Sequence, residues 1–166
     1  MIETERKFLI KYPDTDALSK LPLSIVKKIS QTYLTSENNS TRRVRKIELN
    51  GNISYIFTEK IRINALSCHE DEKEILKAEY DALLLEKDTE RDTIFKTRYA
   101  FPYENQIIEI DIYDFWSEFA ILEIELKNEN EKYTIPAFVE VIKEVTEDKR
   151  FKNAFLASDH NFAPLT

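Results

Sequence analysis

Ser40–Lys60 reads STRRVRKIELNGNISYIFTEK, two runs rich in β-branched residues around the dipeptide Asn50-Gly51. Asn-Gly readily adopts the positive φ angles of a type I′ turn, whose twist matches that of paired antiparallel strands. The stretch therefore predicts a hairpin, Ser40–Leu49 with Ile53–Lys60. In a strand, residues two apart share a face. Arg43 and Arg45 thus point one way and Val44 the other, and Lys60 lies on the face of Ser54, Ile56 and Thr58.

The same habit recurs on both sides of this hairpin. Ile2–Ile10, Ile25–Leu34, Ile75–Asp81, Ile94–Phe101, Gln106–Tyr113 and Ala120–Lys127 read as strands, the fourth and fifth joined around Pro102. Asp14 is placed to cap a short helix through Lys20, Ala82–Glu90 suits a brief helix, and Thr146 caps a predicted helix over Glu147–Ala157. Asn64–Glu74 is mostly polar and reads as a loop, with room for a helical turn. Many strands and few helices predict an α+β, mainly β fold, an antiparallel sheet or barrel in one domain over residues 1–166.

Like charges repeat at same-face positions: Glu3 and Glu5 with Lys7, Lys96 with Arg98, Glu109 with Asp111, Glu123 with Glu125, and Glu79 with Asp81 beside Lys77. One such strand is an ordinary solvated face. Several in one short chain repel one another and call for outside compensation. An anion would satisfy the basic pairs and a divalent cation the acidic ones. Apolar sets such as Ile108/Ile110/Ile112 and Leu122/Ile124/Leu126 occupy the opposite faces. If helices cover those, the charged faces look into a closed eight-stranded antiparallel barrel, whose interior holds side chains or one small ligand.

Composition narrows the chemistry. The chain has 166 residues, 42% of them apolar and 33% charged, with a net charge of −7 and a single glycine. A phosphate-binding glycine loop needs several glycines, so any phosphate here is held by side chains. Overall acidity disfavours nucleic acid as a partner. One cysteine, Cys68, points to a reducing compartment, the cytoplasm; two histidines, His69 and His160, read as surface residues. A metal held by this chain would be hard and oxygen-bound. The charged first ten residues argue against a secretory signal, and no apolar run is long enough for a membrane helix. Phe115 and Trp116 read as core or loop anchors, and oligomeric state leaves no sign in the sequence.

The ordered set ETERKFLI (3–10), QTYL (31–34), RRVR (42–45), FTEK (57–60), KAEYD (77–81), KTRY (96–99), IEIDIY (108–113), LEIEL (122–126) and EVTEDKRFKN (144–153) resembles the CYTH superfamily, the triphosphate tunnel metalloenzymes, along nearly the whole chain. The resemblance implies an eight-stranded tunnel with helices packed outside, acting on triphosphates with Mg²⁺ or Mn²⁺. It implies that Lys7, Arg43, Arg45, Lys60, Lys96, Arg98 and Arg150 bind phosphate, Arg150 at one end of the tunnel beside Lys149 and Lys152. It places the metal on Glu3, Glu5, Glu123 and Glu125 with Asp111 near it. It makes Lys60, Tyr33 and Glu79 the catalytic set, with Glu79 and Glu109 also in support of the metal; a wall role for the Tyr33 hydroxyl stays open. Asp81 stands where the family has a longer acid, and the link from Asp81 to Lys96 is short.

The function this implies is metal-dependent hydrolysis of a small-molecule triphosphate, foremost inorganic triphosphate, with no nucleic-acid or membrane partner. Class IV adenylate cyclase and thiamine triphosphatase are the enzymatic alternatives, and a polyphosphate-binding module is the non-enzymatic one.

Overall fold

The computed structural model describes every residue except His160, Phe162 and Thr166, so the surface reading of His160 lies outside the described residues. Among the described residues nine strands form: β1 (Ile2–Lys11), β2 (Ile25–Leu34), β3 (Ser40–Leu49), β4 (Asn52–Arg62), β5 (Ser67–Ile75), β6 (Ile94–Tyr103), β7 (Gln106–Tyr113), β8 (Phe119–Leu126) and β9 (Val141–Glu144). They pair in the order β5-β4-β3-β2-β6-β7-β8-β1, and β1 returns to β5, which closes an eight-stranded antiparallel barrel. β9 is the ninth strand, laid against the far half of β1 beyond its contact with β5.

The Asn50-Gly51 hairpin forms in the expected register, with φ of 50° and 78° at its two turn residues. A second tight turn uses Glu104 and Asn105, both at positive φ, so Pro102 sits inside the end of β6 and not at the corner.

Two neighbouring expectations are corrected. Asn64–Glu74, read as a loop, is mostly the strand β5; Ile75–Asp81, read as a strand, is mostly the helix α2 (Lys77–Leu83). β5 shows no hydrophobic alternation because both of its faces are polar. Tyr80, Leu83 and Leu84, at helical spacing, pack instead on Val44, Tyr55 and Phe57 and cover the outside of β3 and β4. A 3₁₀ turn over Leu84–Glu86 replaces the rest of the predicted Ala82–Glu90 helix.

α1 (Thr15–Ser19) is capped by the Asp14 carboxylate, as its sequence suggests. Leu18 from α1, together with Tyr133, Ile135 and Val139, covers the apolar outside of β1, β6, β7 and β8.

The C-terminal region differs from expectation. β9 was not anticipated, and Thr146 does not cap a helix. Its hydroxyl instead accepts from the Lys7 backbone N–H at 3.0 Å and contacts a Glu144 carboxylate oxygen at 2.7 Å. Asp148 caps a 3₁₀ turn over Lys149–Phe151, and the extended Lys152 separates it from α3 (Asn153–Leu156). Phe151 and Leu156 are fully buried against Leu9, Ile94, Tyr113, Trp116 and Ile121. Leu9, Ile94, Tyr113 and Ile121 point into the barrel, so this segment is an apolar plug across one end of it. Trp116 and Phe115 belong to the same cluster, as expected of core anchors.

Candidate active site

The apolar outward positions are covered by α1, by α2 and by Tyr133, Ile135 and Val139 of the β8–β9 connection, and the like-charged residues on the opposite faces turn inward. Glu3, Glu5 and Lys7 of β1, Arg43 of β3, Lys60 of β4, Arg98 of β6, Glu109 of β7 and Glu123 of β8 line one cavity of about 560 Å³. Tyr33 of β2 lines it too, as do Lys149 and Lys152 from the C-terminal segment.

The inner cations are matched by carboxylates on neighbouring strands. Lys60 Nζ lies 2.7 Å from Glu3 and 3.0 Å from Glu70. Lys7 Nζ lies 3.5 Å from Glu123. Arg45 binds Glu72 at 2.7 Å, and Arg98 binds Asp111 at 2.7 Å and Glu109 at 3.0 Å. Lys96 and Asp111, 2.8 Å apart, are buried almost completely. Removing one member of such a pair strands the other charge, at a cost on the order of 3–5 kcal/mol.

Arg43 differs in forming no ion pair among the described residues: its side chain hydrogen-bonds to Tyr33, and its buried Nε, like that of Arg45, has no hydrogen-bond partner. It stands opposite Tyr33 in the β2–β3 register, whose hydroxyl accepts from Gln31 at 2.8 Å and whose ring is covered by Arg91.

The electrostatics follow from this crowding. Burial alone would raise the Glu3 carboxyl, but adjacent Lys60 holds it down at about 2. Glu5 is pushed up to about 8 by burial and by the charges of Glu123 and Glu3. Glu123 stays well below the usual carboxylate range despite burial, because Lys7, Arg98 and Lys96 surround it and Glu5 hydrogen-bonds to it. These two carboxyls therefore share one proton, as like charges in close quarters must. Lys60 is raised: burial and Arg43 oppose its charge, but Glu3, Glu5 and Glu70 outweigh them. Arg45 is lowered to about 10 by burial and by neighbouring Arg43, and Lys96 to about 8 by burial.

Several expected site residues lie elsewhere. Glu79 is exposed on α2, where its carboxylate faces the Leu76 backbone N–H at 3.5 Å, and Asp81 pairs with Lys77 on the same helix. The acids that occupy this part of the wall are Glu70 and Glu72, which sequence reasoning missed. Arg150 is held by Asp148 at 2.7 Å and is not on the cavity lining; Lys149 and Lys152 are. Asp111, expected beside the metal, is the counter-ion of Lys96 and Arg98, which occupy both of its oxygens. Glu125 is exposed beyond the lining, opposite Glu5 in the strand register. His69 is exposed, as expected.

Among the described residues, no three carboxylate, imidazole or thiol groups make a ready cage for a metal. Hard cations such as Mg²⁺ need less: one or two carboxylates, with substrate phosphates and water completing the shell. Glu5 and Glu123, all oxygen and sharing a proton that a cation can replace, fit that requirement.

A closed barrel turns paired cations and carboxylates onto one cavity, with Arg43 among them outside any ion pair of the described residues, a build that suits a small polyanion. No family model matches the chain. An inorganic triphosphatase of Nitrosomonas europaea is 34% identical over 164 residues, covering 95% of this chain and 97% of its own length. The crystal structure of an inorganic triphosphatase superposes with a TM-score of 0.58 at 28% identity over 94% of both chains. A Pyrococcus horikoshii protein shares the fold at a TM-score of 0.59 and 20% identity, over 77% of this chain and 80% of its own. The chain belongs to the inorganic triphosphatase family of CYTH proteins.

Proposed function

We propose that this protein hydrolyses inorganic triphosphate with the help of a divalent cation, Mg²⁺ or Mn²⁺, in the cytoplasm. The observation that carries this reading is Arg43, on the cavity wall beside the ion-paired Lys7, Lys60 and Arg98, with a buried Nε that lacks a hydrogen-bond partner and no ion pair of its own among the described residues. A phosphate oxygen is the acceptor such a donor lacks, and a guanidinium grips two at once.

Arg43, with Lys7, Lys60 and Arg98, binds the phosphoryl oxygens and offsets the charge that builds during transfer. Glu5 and Glu123 hold the cation, with Glu3 and Glu125 nearby; bound there, it neutralises phosphate charge and acidifies coordinated water. Lys60 keeps its proton, so it serves as a cation and hydrogen-bond donor and not as a base. Glu70 lies against Lys60 and supplies the carboxylate role for which Glu79 is too distant. The oxygen of water bonds to a terminal phosphorus, the bridging P–O bond breaks, and orthophosphate and pyrophosphate leave with release of a proton.

Incubating the protein with tripolyphosphate, ATP or thiamine triphosphate and each metal tests this. Orthophosphate release fastest from tripolyphosphate supports it. Cyclic AMP from ATP, or tight binding without turnover, overturns it.

A further inference from the structure

The loop between the Leu84–Glu86 turn and β6 is fastened along the last residues of β2. The Thr35 N–H donates to the Glu86 carbonyl at 2.9 Å, and Leu34 bridges Lys87. The Asp88 N–H donates to the Tyr33 carbonyl at 3.0 Å, and the Thr32 and Thr93 hydroxyls meet at 2.9 Å. The Asp92 N–H reaches the Ala157 carbonyl at 2.7 Å, which ties the same loop to the C-terminal segment. Asp88 shapes a turn within it. Its Oδ1 accepts from the Glu90 N–H at 3.0 Å, its carbonyl accepts from the Arg91 N–H at 3.2 Å, and its Oδ2 lies 3.7 Å from Arg91 Nε. The turn carries the Arg91 guanidinium to 5.5 Å from the centroid of the Tyr33 ring. Asp88 and Arg91 both line the cavity.

What this does for Tyr33 follows from its hydroxyl. A phenolic oxygen has two acceptor positions and one proton. Gln31 Nε2 fills one position at 2.8 Å, and the Arg43 guanidinium, which can only donate, fills the other. The proton is what the hydroxyl has left to offer, and Tyr33 stands on the cavity lining. A hydrogen bond weakens steeply once its donor is misaligned, so the tilt of the ring decides whether that proton is useful. Tyr33 is buried in the cluster of Leu9, Ile94 and Tyr113. A guanidinium attracted to the ring face adds a directional restraint that apolar packing lacks.

We infer that Arg91 is a positioning residue for triphosphate cleavage: it seats the Tyr33 ring so that the hydroxyl proton points at the phosphoryl oxygens, while Gln31 and Arg43 fix the hydroxyl oxygen. The inference rests on the triphosphatase reading above. Arg91 is a cation on the cavity lining, yet it acts through Tyr33 and not by gripping phosphate. Its charge is already engaged by Asp88 and by the ring, whereas Arg43 forms no ion pair among the described residues.

Steady-state kinetics on tripolyphosphate with metal compares wild type, Arg91→Ala, Tyr33→Phe and the double variant. Arg91→Ala is expected to lower kcat by about 3- to 30-fold, the worth of a cation–ring contact, with KM changed by less than about twofold. In the Tyr33→Phe background, which keeps a ring and lacks the hydroxyl, the same change should cost almost nothing. Arg91→Lys, which keeps a cation over the ring, should recover most of the loss. An unchanged kcat overturns the inference, and a raised KM in its place makes Arg91 a phosphate contact. An undiminished loss in the Tyr33→Phe background overturns it too. If wild type releases no orthophosphate, the hydrolase reading fails by itself, and the Tyr33 ring signals in NMR spectra of the ligand-free protein decide the seat. Broadening in Arg91→Ala that Arg91→Lys reverses supports it; equally sharp signals in all three proteins overturn it.

Discussion

Tyr113 donates a 2.6 Å hydrogen bond to the Oδ1 of Asn153, and Lys96 Nζ approaches the same oxygen at 3.5 Å. A β7 wall residue thereby pins the first residue of α3, next to Lys152 at the cavity. Asn153→Ala should raise KM for tripolyphosphate roughly 5- to 10-fold, the loss of one or two hydrogen bonds. If Asn153 acts by positioning Lys152, the same change in a Lys152→Ala background should cost almost nothing. Steady-state kinetics on the four proteins checks this; additive losses would instead make Asn153 a direct contact.

Arg43→Ala should weaken tripolyphosphate binding by about 10- to 100-fold, the range for hydrogen bonds to charged groups. The barrel should tolerate the change, since no ion pair within 4 Å is broken. Calorimetry together with thermal melting checks both halves, and an unchanged dissociation constant would remove Arg43 from the phosphate grip.

Glu5→Gln should cut metal-dependent turnover by ~100-fold or more, because several kcal/mol of charge stabilisation depends on the cation. Metal-free stability should not fall. Glu5 keeps its proton up to about 8, and glutamine matches that neutral form. A melting curve without metal and a rate with metal separate the two effects; wild-type activity would contradict the assignment.

Lys152 gives a pH dependence with a definite sign. It titrates at about 8 in the free protein. A bound anion favours its charged form, so its value is higher in the complex and binding takes up a proton above that pH. Tripolyphosphate affinity, measured with metal chelated, should therefore fall as pH rises through about 8, by up to tenfold per unit for each proton taken up. Glu5, also held at about 8 on the same lining, loses its proton over the same range, so Lys152→Met should make the fall shallower without abolishing it, and an unaltered slope would remove Lys152 from the effect.

The register of the acidic wall can be tested by contrast. Glu70→Gln should lower turnover, whereas Glu79→Gln should leave it unchanged and cost at most about 1 kcal/mol of stability through the start of α2. Equal loss in both would restore Glu79 to the site.

That contrast also shows which parts of the molecule could be read in advance. Arg43, Arg45, Arg98, Glu123 and Lys7 alternate with residues such as Val44, Ile124 and Phe8, so their strands and inward faces were legible. In β5 the outward His69, Asp71 and Lys73 are as polar as the inward Glu70 and Glu72, so periodicity carried no signal. The motif-like Lys77–Asp81 then drew the assignment one element too far. Arg150 misled for a local reason: the Asp148 cap and the extended Lys152 break the expected helix and turn its neighbours toward the cavity. The mostly covered apolar faces were plain, but β9 is only Val141–Glu144, too short to stand out.

Three residue pairs hold β1 to β5, against eight between β1 and β8. The ring is thus fastened most lightly where Glu3, Lys60 and Glu70 meet. Under heat or denaturant the cylinder should part along that seam first, so catalytic competence should vanish before most of the β-structure melts.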